Sequence, residues 1–166
     1  MLDGIKEAGE AAGIEVVSSV TDDVDEGVTA MEGADAVVLC GATTSTEGKD
    51  RSSLLVDQDD FLSEILDAAL IPSVVVTLTP GASVLTNWVD KADSVLNLFL
   101  SGEETGHSVA DVLFGSVNPS GKLPVTFPLS EEYAVAPCRF TVKECVYDEG
   151  VLVGYRGLQD KDVGFR

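Results

Sequence analysis

The chain carries a carboxylate and a guanidinium four positions apart, Glu47 and Arg51, in the run Thr-Glu-Gly-Lys-Asp-Arg at residues 46–51. This run follows the apolar residues 36–40, and a continuous apolar run predicts a strand that is covered on both faces. Open α/β sheets bind ligands on loops that follow the carboxyl ends of such strands. A glutamate on that kind of loop is held by the scaffold and reachable by ligand, which suits a general acid.

Two alternatives stay open for this loop. Glu47 can be a solvated loop glutamate without a role, because surface loops are commonly polar. Asp50 and Arg51 can make a bidentate pair with each other or with neighbouring groups. We interpret that pair as structural bracing of the loop.

The other residues that could do chemistry favour structural roles. His107 is the only histidine and lies beside Glu103 and Glu104, near the start of a predicted helix. A serine triad would need a Gly-x-Ser-x-Gly elbow, which the sequence lacks, and a metal site would need more nitrogen or sulfur donors. Trp88 could stack on a sugar ring, but a lone tryptophan in an apolar segment is more typical of a core.

Two glycine-containing runs imitate phosphate loops without matching them. Five residues separate Gly115 from Gly121, and Leu123 replaces the Ser or Thr that would bind magnesium. Residues 41–50 deviate in a similar way, and no Gly-x-Gly-x-x-Gly follows a predicted strand. We therefore expect no nucleotide, no metal and no other cofactor.

Composition narrows the class of protein and its partners. The chain has 166 residues, 45% of them hydrophobic, which suits one domain with a packed core. A net charge of −19 disfavours nucleic acid and acidic lipid, because phosphate binding relies on clustered Lys and Arg. No apolar stretch approaches the ~18 residues of a membrane helix, and the mixed start of the chain is unlike a signal peptide. We expect neither nucleic acid nor a membrane as a partner.

Three cysteines without a Cys-x-x-Cys spacing argue against a standard zinc or thioredoxin site. Cys40 ends a predicted strand, where a small apolar thiol is common. Cys138 and Cys145 either pair in an oxidising compartment or remain free.

Hydrophobic spacing predicts helices that alternate with short apolar strands. The predicted helices lie at residues 2–12, 22–31, 58–70 and 108–115, with a short helical piece at 86–91; the predicted strands lie at residues 14–17, 36–40, 73–78 and 94–100. This alternation indicates an α/β fold, a mostly parallel sheet with helices on both faces. After residue 115 the pattern changes to Pro- and Gly-punctuated segments that resemble arms wrapping a neighbouring surface.

Several segments, in order along the chain, resemble the C-terminal α/β-sandwich domain of family 3 glycoside hydrolases, the β-glucosidase group. Residues 47–51 resemble the family's Glu-Gly-x-Asp-Arg, and residues 77–88 resemble its Pro-Gly turn that leads to a tryptophan. The more specific matches are Asn-Pro-Ser-Gly-Lys-Leu-Pro at residues 118–124 and Val-Gly-Tyr-Arg at residues 153–156.

This resemblance implies a fold, a domain plan and roles for residues. The fold would be a three-layer α/β/α sandwich of flavodoxin-like type, incomplete at its N-terminal edge, with residues 1–128 as the sandwich and residues 129–166 as an arm leading towards a linker and a fibronectin-like domain. In the family a (β/α)8 barrel supplies an aspartate nucleophile and the sandwich supplies the acid/base glutamate. The position of that glutamate here is Glu47, and the residues implied to support the loop or bind substrate are Asp50, Arg51, Glu149 and Tyr155.

The resemblance also implies the reaction, hydrolysis of O-glycosyl bonds in β-glucosides or oligosaccharides with retention. A barrel takes ~250 residues, which this chain cannot hold, so we expect the isolated chain to be an inactive piece of a larger enzyme. Relatives are often secreted or periplasmic, but the chain carries no address, and it does not predict the sugar or the linkage.

The sequence departs from the family pattern at three places. Glu103 stands where glutamine is usual, Ser101 where proline is usual, and Val56 and Asp57 where Leu-Pro is expected. Two other readings stay open: a non-catalytic flavodoxin-like module that binds carbohydrate or another protein, and a truncated fragment that folds only in part.

Overall fold

The centre of the molecule is a parallel sheet of three strands. A computed structural model describes residues 1–134, 138, 141 and 143–166. In it β1 (Val37–Ala42), β2 (Ser73–Leu78) and β3 (Ser94–Asn97) are neighbours in that order. Both ladders are parallel. Val37 pairs with Ser73 between β1 and β2, and Val74 pairs with Ser94 between β2 and β3. The prediction for β2 matches at both ends, β1 begins one residue late, and β3 is shorter than the predicted 94–100.

In the part of the chain that the structure describes, five α-helices and a 3₁₀ turn accompany this sheet. They are α1 (Leu2–Ala12), α2 (Val24–Met31), α3 (Asp59–Ala68), α4 (Thr105–Leu113), α5 (Tyr155–Asp160) and the 3₁₀ turn Glu131–Tyr133. Helix α1 packs on α4, and α2 packs on α3. Leu39 of β1 belongs to the same core cluster as Leu62 of α3, while Cys40 Sγ lies 3.7 Å from Met1 Sδ. Because successive side chains of a strand point to opposite faces, the two helix pairs cover opposite faces. The α/β class with helices on both faces is confirmed.

A hydrophobic core cluster joins β1, β2 and α3. Leu62, Ile65, Val75 and Trp88 are fully buried there, and Phe127 joins them from the segment that follows α4. Trp88 is therefore a core residue, as its apolar surroundings predicted. Residues 86–91 around it form turns instead of the predicted helical piece.

The predicted strand at residues 14–17 is wrong. Helix α1 ends at Gly13, whose φ of 71° is the left-handed conformation that glycine favours, and the Ile14 N–H closes the helix on the Gly9 carbonyl. Beyond it the chain forms no regular secondary structure and pairs with no strand in the described ranges, and Ile14 and Val17 are 51% and 64% exposed. A β-branched run needs a neighbouring strand to become part of a sheet, and local sequence does not report that neighbour.

The prediction that β1 is covered on both faces holds only in part. Val38 and Cys40, which share one face of the strand, are both exposed, whereas Leu39 on the other face is buried against the core. The reason is topological, because β1 is an edge strand of the described sheet and pairs only with β2. Side chains on the faces of β1 therefore have neighbouring strand residues on one side only.

The segment after α4 is joined to the C-terminal residues by hydrogen bonds. Phe127 and Arg166 exchange two backbone hydrogen bonds of 2.9 and 3.0 Å, and the Thr126 hydroxyl accepts the Tyr155 N–H at 3.0 Å. Cys138 and Cys145 form a disulfide with their Cα atoms 5.9 Å apart, which answers the alternative left open by the sequence. Across the described residues no helix combines the length and apolar character needed to cross a bilayer.

Candidate active site

The loop between β1 and α3, residues 43–58, carries Glu47 at its tip. Thr46 and Lys49 form an antiparallel bridge that folds the tip into a tight turn around Glu47 and Gly48. Glu47 is exposed, and its carboxylate makes no hydrogen bond with any residue the structure describes. A turn closed by its own backbone holds the glutamate in place while leaving the carboxylate available to a ligand.

Arg51 braces this loop from within. Its Nη1 donates to the Thr44 carbonyl at 2.7 Å and to Asp57 Oδ1 at 3.2 Å. Its Nε donates to the Ser53 carbonyl at 3.2 Å, and its Nη2 donates to the Leu55 carbonyl. The side chain is only 20% exposed, so the guanidinium fork is occupied by the loop itself.

Asp50 does not pair with Arg51. The carboxylate partner of Arg51 is Asp57, six residues further on, whereas Asp50 is exposed and makes no hydrogen bond within the described part of the chain. Asp50 and Arg51 both line an open crevice of about 550 Å³ that also includes Lys49. Asp50 is thus the member of the pair whose polar atoms face open space.

Asp57 closes the base of the loop, and sequence reasoning did not single it out for a role. Its N–H donates to the Ala42 carbonyl at 2.8 Å, and its Oδ2 accepts from the Thr44 N–H at 2.6 Å and the Thr44 hydroxyl at 2.5 Å. The hydrogen bond from the Thr44 hydroxyl, followed by the Thr44 N–H and the Arg51 guanidinium, lowers the pKa of Asp57 from its usual value against a smaller opposing effect of burial. The only signal in the sequence was the departure from the expected proline.

Glu131, in the 3₁₀ turn that follows the sandwich, also anchors the loop. Glu131 Oε1 accepts from the Ser53 hydroxyl at 2.5 Å and from the Leu54 N–H at 2.6 Å. These two hydrogen bonds lower the pKa of the Glu131 carboxyl. The Leu54 carbonyl in turn accepts the Val84 N–H at 3.0 Å, so the loop is tied to two separate segments. No local pattern around residue 131 predicts this contact, because its partners lie more than seventy residues away.

The other two sequence-predicted site residues lie away from the loop tip. Glu149 is half-buried and lines a separate cavity of about 460 Å³, together with Tyr133, Leu152 and Lys161. Tyr155 begins α5; the residue is 45% exposed, and the centroid of its ring lies 6.4 Å from that of the Phe165 ring. The structure therefore brings Glu47, Asp50 and Arg51 onto one loop and places Glu149 and Tyr155 on the C-terminal segment.

His107 links two helices. Its Nδ1 lies 2.6 Å from Glu104 Oε2, and its Nε2 lies 3.1 Å from Glu7 Oε2 on α1. The hydrogen bond to Glu7, then that to Glu104, raises the pKa of the imidazole above its ordinary value. The described residues contain no group of three or more His, Cys, Asp or Glu side chains placed to hold a metal ion.

Comparison with known proteins assigns this sandwich and its loop to a family. The model of the "Glycosyl hydrolase family 3 C-terminal domain" matches residues 1–155, and the chain belongs to that family. Over 140 residues it is 38% identical to the protein named "Probable beta-glucosidase I" from Aspergillus flavus. That match covers 81% of this chain and 16% of the relative, so the chain spans about a sixth of that relative's length.

Solved structures agree with this assignment. The β-glucosidase of glycoside hydrolase family 3 from Bifidobacterium adolescentis superposes with a TM-score of 0.79 at 28% identity, over 96% of this chain and 26% of that one. The β-D-glucoside glucohydrolase from Trichoderma reesei has a TM-score of 0.87 at 24% identity, over 98% of this chain and 24% of that one, and supports the fold alone.

Proposed function

We propose that this chain is the part of a retaining β-glucosidase that supplies the acid/base carboxylate, Glu47. The observation that carries the proposal is the contrast between the loop and its tip. Arg51, Asp57 and Glu131 hold the loop by hydrogen bonds at three places, whereas the Glu47 carboxylate is exposed and free of hydrogen bonds within the described chain. A fixed backbone that presents an unengaged carboxylate is what proton transfer to a bound ligand requires.

The proposed reaction uses Glu47 twice. An aspartate from an N-terminal (β/α)8 barrel attacks the anomeric carbon while Glu47 donates its proton to the departing glycosidic oxygen, which yields a glycosyl-enzyme and the free alcohol. Glu47 then takes a proton from water as the water attacks the same carbon, which releases glucose and the aspartate. In a retaining pair the two carboxyl groups lie ~5 Å apart, so the barrel has to dock against the loop tip.

The neighbouring residues fit supporting roles in this proposal. Arg51 supports the loop, because its guanidinium donates to three loop carbonyls and to Asp57. Asp50 is the candidate for substrate contact, because it is exposed on the loop that carries Glu47 and lines the open crevice there. Glu149 and Tyr155 lie on the C-terminal segment of residues 129–166, and we assign them to its packing and to the adjoining cavity.

The test uses the polypeptide that joins this chain to its barrel. Glu47→Gln removes the proton donor, and we expect kcat/KM for alkyl glucosides to fall by about 10²- to 10⁴-fold. The dinitrophenolate of a dinitrophenyl glucoside departs without protonation. Glu47→Gln should therefore slow the glycosylation step with this substrate much less. Glu64→Gln, an equivalent change on the exposed face of α3, is the matched control. Equal activity of the Glu47 variant and the control on alkyl glucosides would contradict the proposal.

The division of the two carboxylates between domains has its own test. The 166-residue chain alone should not hydrolyse aryl glucosides, because the proposal assigns the nucleophile to the barrel. Robust hydrolysis by this chain alone, lost in Glu47→Gln, would show that both carboxylates reside here.

A further inference from the structure

We propose that Asp57 is a positioning residue for Glu47, and that this chain holds its acid/base loop with an aspartate where the family pattern has proline. The inference rests on the proposed function of Glu47. Within the described residues the Asp57 side chain makes no hydrogen bond with the loop tip, and its effect passes through Thr44 and Arg51.

The contacts of Asp57 close the loop at its base. Residue 57 binds both Ala42, the last residue of β1, and Thr44, the second residue after it. The chain that leaves the sheet at Ala42 is therefore fastened to the chain that enters α3. A loop whose two ends are joined by hydrogen bonds has fewer conformations for its tip than a loop with free ends.

Arg51 carries the constraint from the base towards the tip. It is bound to Asp57 by Nη1 and to the Thr44 carbonyl by the same nitrogen, so the carboxylate, the guanidinium and Thr44 form one ring of contacts. Thr44 is two residues before the bridge between Thr46 and Lys49 that shapes the turn at Glu47. Movement of Thr44 therefore moves one end of that bridge.

The chemistry of the contacts requires a carboxylate. Every partner of the Asp57 side chain is a donor: the Thr44 N–H, the Thr44 hydroxyl and the Arg51 guanidinium. An asparagine has only one acceptor oxygen and turns its amide NH₂ towards one of these donors. A proline would have neither a side-chain acceptor nor the N–H that binds Ala42. The side chain is 35% exposed, so the role lies in geometry more than in buried charge.

Without the hydrogen bonds of Asp57 the base of the loop is less constrained, and the Glu47 carboxylate occupies a wider range of positions. General acid catalysis depends on the distance between the proton donor and the departing oxygen, and a displacement of ~1 Å costs about 10²-fold in rate. The loss should appear only when the leaving group needs a proton. A change that merely lowers the amount of folded enzyme lowers the rate for every substrate by the same factor.

The experiment compares Asp57→Asn with Asp111→Asn in the polypeptide that includes the barrel. Asp111 is exposed on α4, and its carboxylate makes no hydrogen bond within the described part of the chain. For Asp57→Asn we expect kcat/KM of a phenyl or alkyl glucoside to fall about 10- to 100-fold, while that of a dinitrophenyl glucoside falls less than about threefold. Asp111→Asn should leave both unchanged.

A second variant and a second measurement keep the test independent of folding. Thr44→Val removes one donor to Asp57 and keeps the shape of the side chain, and it should show the same dependence on leaving group with a smaller loss. Amide hydrogen exchange at Thr44 should quicken in Asp57→Asn, since its N–H loses the carboxylate acceptor. Equal losses for both substrates, or unchanged exchange at Thr44, would overturn the positioning role.

The two proposals fail in different ways. If Glu47→Gln proves harmless on alkyl glucosides, the acid/base assignment is wrong and the positioning role of Asp57 falls with it. If Glu47→Gln lowers activity on alkyl glucosides but Asp57→Asn does not lower it more than activity on the dinitrophenyl glucoside, only the role of Asp57 is overturned.

Discussion

The indole N–H of Trp88 donates a hydrogen bond of 3.1 Å to Asp59 Oδ1, across 29 residues of sequence and inside the core. The second oxygen of Asp59 accepts from Asn87 Nδ2 at 2.6 Å, so a buried carboxylate at the first position of α3 has a neutral donor on each oxygen. This contact fixes the start of α3, and therefore the end of the site loop, to the turn after β2.

Trp88→Phe should destabilise the domain. The variant keeps an aromatic ring but leaves Asp59 Oδ1 without its donor, and a buried polar group without a partner costs about 1–3 kcal/mol. Urea denaturation followed by circular dichroism would show a lower midpoint. Tyr147→Phe, which removes a hydroxyl from a residue that is 72% exposed, is the matched control and should leave the midpoint unchanged. Equal midpoints for the two variants would contradict the role of this hydrogen bond.

Arg51→Lys should loosen the site loop although it keeps the charge. A lysine cannot reproduce a planar fork that donates to three carbonyls and one carboxylate. We expect a loss of about 2 kcal/mol in unfolding free energy, measured by urea denaturation. Arg156→Lys, at an exposed position where the guanidinium lies 5.2 Å from the Tyr155 ring, should cost much less. The prediction is wrong if the two arginines prove equally replaceable.

Gly4→Ala should separate α1 from α4. A Cβ at Gly4 would lie 2.5 Å from the carbonyl carbon of Gly106 and 2.7 Å from its oxygen, which are backbone atoms that cannot move aside alone. Overpacking of this kind costs about 1–3 kcal/mol, more than the ~1 kcal/mol that alanine contributes to helix propensity. Thermal unfolding should show a lower midpoint. Gly102→Ala, where a Cβ meets nothing within 4 Å, serves as the control; a Gly4→Ala midpoint no lower than that of Gly102→Ala would count against the close packing.

His107 links α1 and α4, and it should make the unfolding free energy of the domain depend on pH. The imidazolium can donate to both Glu7 and Glu104, whereas neutral imidazole has one N–H. Because the folded-state pKa is raised above 6.5, this stabilisation is fully present below pH 6.5 and is lost as the pH rises through the folded-state pKa.

The measurement for His107 is the difference in melting temperature between the wild type and His107→Asn from pH 5.5 to 9. That difference should be largest at the acidic end and should shrink as the pH rises. Glu7→Gln weakens one of the two contacts and should give a shallower dependence. A constant difference over this range would exclude the ionised bridge.

The sequence was informative where structure is local or where a motif marks it. The apolar run of β2 and the glycine end of α1 were both predicted from neighbouring residues. The contacts of Asp57 and Glu131 were not, because each depends on groups brought together by the fold. The failed strand at residues 14–17 has the same cause, since strand formation depends on a pairing partner that no local pattern describes.

The hydrogen bond between Glu131 and Leu54 spans 77 residues, and it has a consequence for the order of synthesis. A ribosome adds about 5–20 residues per second, so residue 131 is made about 4 to 15 seconds after residue 54. During that interval a nascent chain has the internal Arg51 brace but lacks its distal anchor. Ser53 and Leu54 then lack the acceptor that Glu131 provides, and translation of the C-terminal segment supplies it.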